Sequence, residues 1–157
     1  MNSRSISRWL ALGLTVVLAL ASCNRKTVYH HFQHTSLTDW ERNDTLFFFV
    51  APMKQGGTVQ RDVELRIAET FPFQKINLVV EQTTLSTCFI RHDTIDCDLI
   101  DLEGNFLGDG ITLFQYRFPL PDITVNKGDS LRIAIRHNMK RETLPGVSDV
   151  GLRLTIR

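Results

Sequence analysis

The chain has 157 residues, a formal net charge of +1, and 43% hydrophobic and 22% charged residues. A body of this size holds one domain with its own core, and a charge this close to balance offers no basic face for nucleic acid. The first element is an apolar run from Trp9 to Ala21, interrupted by Gly13 and Thr15. At about thirteen residues it falls short of the roughly twenty that a membrane-spanning helix needs. Arg4 and Arg8 stand ahead of it as the positive flank of an export signal. It ends in Leu20-Ala21-Ser22-Cys23, small residues before a cysteine.

That ending resembles the bacterial lipobox, whose cysteine thiol receives a diacylglyceryl group before cleavage on its N-terminal side. The resemblance implies a lipoprotein signal peptide over residues 1–22 and a mature chain that begins at Cys23. The lipid on Cys23, diacylglyceryl plus N-acyl, would be its only non-protein group, with no cofactor besides. Losing Arg4 and Arg8 takes the formal charge from +1 to −1. Asn24, Arg25 and Lys26 follow the cysteine without an acidic run. By resemblance to sorting rules in envelope bacteria, this favours an outer-membrane anchor facing the periplasm. The other reading is an ordinary signal peptide with an incidental cysteine.

From Asn24 to about Thr38 there is little apolar periodicity, so residues 23–38 are expected to form a flexible tether, with a single domain over 39–157. His30, His31 and His34 in "YHHFQH" invite a metal reading. No cysteine or carboxylate stands nearby to complete a ligand set, and a solvated tether is the simpler reading. From Trp40 the period becomes two. "TLFFFVA" (45–51) reads as a short apolar strand. "VQRDVELRIAE" (59–69) sets Val59, Val63, Leu65 and Ile67 on one side, with Arg61, Glu64 and Arg66 nearer solvent. "INLVVEQ" (76–82), "DTIDCDLI" (93–100), "ITLFQYRF" (111–118), "SLRIAIRH" (130–137) and "VGLRLTI" (150–156) follow. Such alternation marks half-buried strands with one wet face. Turn signals separate them at Gly56-Gly57, Phe71-Pro72, Gly104-Asn105, Asp109-Gly110, Pro119 to Pro121, Lys127-Gly128 and Pro145-Gly146. Seven or eight short strands in one domain predict an antiparallel β-sandwich, with a closed β-barrel as the alternative.

Little in this frame carries chemistry. There is no Gly-x-Ser-x-Gly elbow to present a nucleophile. Cys88 and His92 share a strand face but stand about 13 Å apart, outside proton-transfer reach. The loop Asp101–Gly110 places Asp101, Glu103, Asn105 and Asp109 at the first, third, fifth and ninth positions of a calcium loop. Phe106 and Thr112 occupy the sixth and twelfth, where a glycine and a glutamate belong, so turn chemistry is the simpler reading. An oxidising compartment allows a Cys88–Cys97 disulfide. Along one continuous strand those residues would lie about 30 Å apart, against a limit of roughly 7 Å, and two separate thiols is the other reading. Phe114, Tyr116 and Phe118 line one strand face. With Trp40 they form either an interaction surface or part of the core.

The order of "LASC", "WERNDTLFFF", "DVELRIAETFPFQKINLVVE", "DTIDCDLIDLEGNFLGDG" and "HNMKRETLPGVSDVGLRLTI" along the chain resembles the GldH-type gliding-motility lipoproteins of Bacteroidetes. The resemblance implies a non-enzymatic accessory or scaffold of the gliding and type IX secretion apparatus. Its partners would be the membrane, through the lipid, and other envelope proteins. That family has no assigned catalytic residues to carry over. A glycan-binding sandwich is the alternative, and it requires aromatic platforms facing a cleft.

Overall fold

The computed structural model describes residues 26–35 and 39–157, so Cys23 and the apolar run lie outside the described residues. Eleven strands follow in chain order: β1 (Lys26–His34), β2 (Trp40–Glu41), β3 (Leu46–Val50), β4 (Gly57–Ala68), β5 (Lys75–Thr84), β6 (Phe89–Asp98), β7 (Asp109–Gly110), β8 (Leu113–Val125), β9 (Leu131–His137), β10 (Thr143–Leu144) and β11 (Val147–Ile156). Among the described residues no helix is long and apolar enough to cross a membrane.

One sheet runs β1-β11-β4-β8-β7 and the other β3-β9-β5-β6, while β10 and β2 form a two-stranded ribbon. Every pairing is antiparallel. The predicted antiparallel sandwich is the fold, and the sheets do not close into a barrel. The period-two pattern builds the core. Val59, Val63, Leu65 and Ile67 of β4 face Leu78, Val80, Ile133 and Ile135 of the opposite sheet, and all are fully buried. Each such side chain stabilises the fold by roughly 1.5–3 kcal/mol.

Three expectations are corrected. Residues 26–34, expected to be tether, form an edge strand registered from Lys26↔Ile156 to His34↔Asp149. No residue of β1 is fully buried, so the strand lacks the apolar alternation that marks the others. The turn expected at Pro119 to Pro121 lies inside β8, which runs on to Val125. β7 pairs with β8 only at Gln115 and Phe114, so beyond them β8 is a sheet edge, where proline's missing N–H costs no ladder bond. A register shift opposite Val59 and Arg61 accommodates the bend. Arg61 and Glu64, placed nearer solvent, are both fully buried.

The strand ends define two poles. At one pole lie the start of β1, Arg157, the connections 51–56 and 126–130, and the β5–β6 turn 85–88. At the other lie the connections 69–74, 99–112 and 138–146.

Candidate functional site

The outer face of the five-stranded sheet, turned away from the core, carries an ionic network. Glu64 of β4 accepts from Arg153 Nε of β11 at 2.8 Å and from Arg117 Nε of β8 at 3.0 Å, and its other oxygen lies 2.8 Å from His30 Nε2 of β1. Burial pushes the Glu64 carboxyl up, but the His30 hydrogen bond and the charges of Arg153, His30 and Arg117 outweigh it and hold the group below its ordinary value. One turn of the pleat away, Asp149 pairs with His34 and lies 3.9 Å from Arg66 Nη1. The Arg66 guanidinium sits 4.0 Å from the centre of the Phe32 ring. Phe32 in turn lies flat against the backbone at Gly151, where a Cβ would meet its ring at 2.6 Å. Glu64 and Asp149 each meet side chains from neighbouring strands, so the network clamps β1, β11, β4 and β8 together; Asp62, buried two residues before Glu64, has the Gln60 amide as its donor at 3.4 Å.

The pole distant from β1's start carries a different kind of surface. The loop after β6 is closed by its own polar groups: Asn105 N donates to Asp101 Oδ1 at 2.7 Å, and Asp101 N donates to Asn105 O at 3.0 Å. The Asn105 side chain and backbone together hold the Asp101 carboxyl below its ordinary value. Phe106 stacks on Phe114 with centroids 4.1 Å apart and planes 3° from parallel. Gly110, at φ 154°, turns so tightly into β8 that a Cβ would fall on the Leu113 carbonyl. On this braced frame four aliphatic side chains point outward, with Leu102 and Ile111 both 88% exposed, Leu107 57% and Leu113 40%. Rigid loops that show apolar side chains to solvent are a recurrent form of interaction site.

The sequence-predicted residues fall elsewhere. Trp40 is fully buried, donating its indole N–H to Asp44 O at 2.9 Å. Tyr116 is buried with its hydroxyl on Leu99 O at 2.9 Å. Phe114 and Phe118 pack against the core beside them. The four are therefore core, not the surface that was one of their two readings. Cys88 is an exposed free thiol at the start of the β6 arm. Cys97 is buried near the other end of the same strand, its thiol pushed up to about 12 by burial, then by Asp96 and Asp98. One continuous strand keeps them far apart and unbridged. His30 and His34 are bound to carboxylates of the sheet, and no cluster of metal-ligating side chains occurs among the described residues. Sequence reasoning missed Phe47 and Phe49, which stack at 6.5 Å and are 42% and 66% exposed. The alternation through "LFFFV" contained the signal, because it sets both opposite the buried Phe48. Phe47 borders a cavity of about 330 Å³ on the outer face of the four-stranded sheet, with Glu81, His92, Arg132 and Arg136.

The family described as GldH lipoprotein matches residues 27–154. No curated relative matches the sequence. Among solved structures, the chain is similar to a family GH115 4-O-methyl-α-glucuronidase with specificity for decorated arabinogalactans, at 12% identity and a TM-score of 0.43, covering 85% of this chain and 18% of that one. It is similar to Eiger TNF from S. frugiperda at 12% identity and a TM-score of 0.35, covering 82% and 92%. A fructofuranosidase from Schwanniomyces occidentalis, complexed with fructose, aligns at 6% identity and a TM-score of 0.37, covering 85% and 34%.

Proposed function

The chain belongs to the GldH lipoprotein family, and we propose on that premise that it is a non-enzymatic accessory or scaffold component of a gliding-motility or type IX secretion apparatus. In this reading Cys23 carries the diacylglyceryl and N-acyl groups and holds the domain at the outer membrane, facing the periplasm. The observation that most supports it is the braced loop 99–113, which presents Leu102, Leu107, Ile111 and Leu113 at the pole away from the start of β1. A catalytic reading would need a free carboxylate pair or an activated nucleophile. Of the three buried carboxylates of the sheet face, Glu64 and Asp149 lie against arginine and histidine side chains, while Asp62 accepts from the Gln60 amide at 3.4 Å.

The test replaces Leu102 and Ile111 together by Asp in the lipidated chain. Both side chains are exposed, so the unfolding free energy should move by less than about 0.5 kcal/mol. Recovery of gliding or secretion components by affinity purification from membranes should be lost. Undiminished recovery of those components would refute the scaffold reading.

The glycan-binding reading survives in altered form, since Phe47 is an exposed ring bordering a polar cavity. Phe47→Ala should then abolish the heat of oligosaccharide binding in calorimetry. A wild-type chain that binds no oligosaccharide removes this reading.

A further inference from the structure

β1 begins at Lys26, three positions after Cys23. Three residues reach at most about 11 Å, so the point of attachment lies within that distance of the pole formed by the start of β1, Arg157 and the connections 51–56, 85–88 and 126–130. That pole has a distinct surface. Phe49 is 66% exposed, Leu85 49%, Phe89 63% and Ile90 51%. Lys26, Lys54 and Lys127 are exposed around them. Among the described residues of the connections 51–56, 85–88 and 126–130 the one carboxylate is Asp129; Asp122 and Glu81 each stand three residues further in, on β8 and β5, and Glu81 lies 3.6 Å from Arg132 Nη2. Asp129 is turned inward, accepting from the Ser86 hydroxyl at 2.5 Å and from Asn126 N at 2.8 Å. Asp122 is paired with Arg157 Nη1 at 3.5 Å. The outward charge is therefore basic, and it surrounds apolar side chains. A groove of about 360 Å³ between β1 and the strand-end of β3, lined by Val28, Tyr29, Phe49, Pro52 and Met53, opens between Lys26 and Lys54.

We propose that this pole is a membrane-seating surface, in which Phe49, Leu85, Phe89 and Ile90 enter the headgroup region of the bilayer and Lys26, Lys54 and Lys127 meet its anionic phosphates. The proposal rests on the acylation of Cys23 and adds to it a second, protein-borne contact. Apolar and aromatic side chains with a basic rim are the composition of interfacial surfaces, and each lysine near an anionic leaflet strengthens partition by about fivefold. Acyl chains alone leave the domain free to tumble about its attachment. Seating this pole points the Leu102–Leu113 loop away from the lipid, toward protein partners.

Cys88 lies within the proposed surface and is an exposed thiol, whereas Cys97 is buried. In the acylated protein the Cys23 thiol is already consumed as a thioether. A bimane label on the purified full mature chain therefore reports from position 88. The protein is reconstituted in phosphatidylethanolamine–phosphatidylglycerol vesicles whose acyl chains carry bromine quenchers. A second label is placed at the other pole, by Leu107→Cys in a Cys88→Ser background. The expected result is strong quenching at position 88 and none at position 107. Joint replacement of Leu85 and Phe89 by Ser, and separately Lys54→Glu with Lys127→Glu, should each remove most of the quenching at position 88. Absent or equal quenching at the two positions overturns the proposal. So does a stable dimer that shields the position-88 label from both water and lipid, since the surface would then belong to a second copy. Mass measurement of the N-terminal peptide, made before vesicles are added, shows separately whether Cys23 is acylated.

Discussion

Arg61 sits between the two sheets with no exposed surface. Its Nη1 donates to Gln82 Oε1 at 3.0 Å and its Nη2 to Asp93 Oδ2 at 2.7 Å, both on the opposite sheet. Nε and Nη2 also reach Pro121 O, at 3.1 and 2.8 Å. Burial pulls the guanidinium below its ordinary value and Asp93 opposes that pull. Arg61→Ala would leave Gln82 without its buried donor and Asp93 with Arg91 as its remaining cation, and should cost about 3 kcal/mol in urea denaturation. Arg117→Ala removes one of several cations from Glu64, but that arginine side chain is 52% exposed, so the loss should stay under about 1 kcal/mol. Equal losses would contradict the burial argument.

His137 offers a titration at the same scale. Its ring is buried edge-on against Trp40, and its Nε2 lies 3.2 Å from Trp40 O while Met139 N approaches Nδ1 at 3.4 Å. A neutral ring with its proton on Nε2 satisfies both contacts. Burial holds the group below its ordinary value of 6.5. The unfolded chain therefore takes up the proton first, and this contribution is complete above about pH 6.5 and drains away as the pH falls toward the folded value. His137→Asn should flatten the stability profile in that window. Glu64, also held low, loses its contribution further down, below the ordinary carboxylate value of 4.5. Parity already pointed Arg61 and His137 inward, in phase with Val59 and Val63 and with Ile133 and Ile135. Residue type argued the other way, and the partners that reverse that argument come from remote strands no local pattern reveals.

Elements were legible in proportion to how fully one face is buried. β5, β9 and β11 alternate cleanly, β4 does so apart from Arg61, and the sequence located each within a few residues. β1 was hidden because an edge strand with no fully buried residue has no apolar period to show. Its attachment rests on register, on the contacts of His30 with Glu64 and His34 with Asp149, and on the Phe32 ring against Gly151. Gly151→Val should displace that ring from beneath Arg66, costing about 1–3 kcal/mol through overpacking. Amide exchange would register it as faster exchange across β1 with the centre of β5 unchanged. Uniform acceleration through both sheets would show that β1 is not a separable element.

At the scale of the molecule the sandwich follows from the strand count and alternation, and the family from the order of the segments. The division of labour between two poles did not. Exposed apolar side chains are scattered through the sequence from Phe47 to Leu113, and only the strand directions gather Phe49, Leu85, Phe89 and Ile90 at one end and Leu102, Leu107 and Ile111 at the other. Trp40 and Tyr116 illustrate the converse, since aromatic content on one strand face reads the same whether that face meets a ligand or the opposing sheet.

The register that joins residue 26 to residue 156 also sets a schedule. Synthesis runs from the N-terminus, so β1 emerges first yet pairs only with β11, which emerges last. β4 likewise waits for β11 on one side and β8 on the other. Until Val147–Ile156 is free, the five-stranded sheet cannot close and β1 has no strand to join. On the proposed acylation of Cys23, β1 thus stays unpaired through the interval in which a lipid-modifying enzyme and a signal peptidase would act. The last strand to arrive ends that interval by locking the first into place.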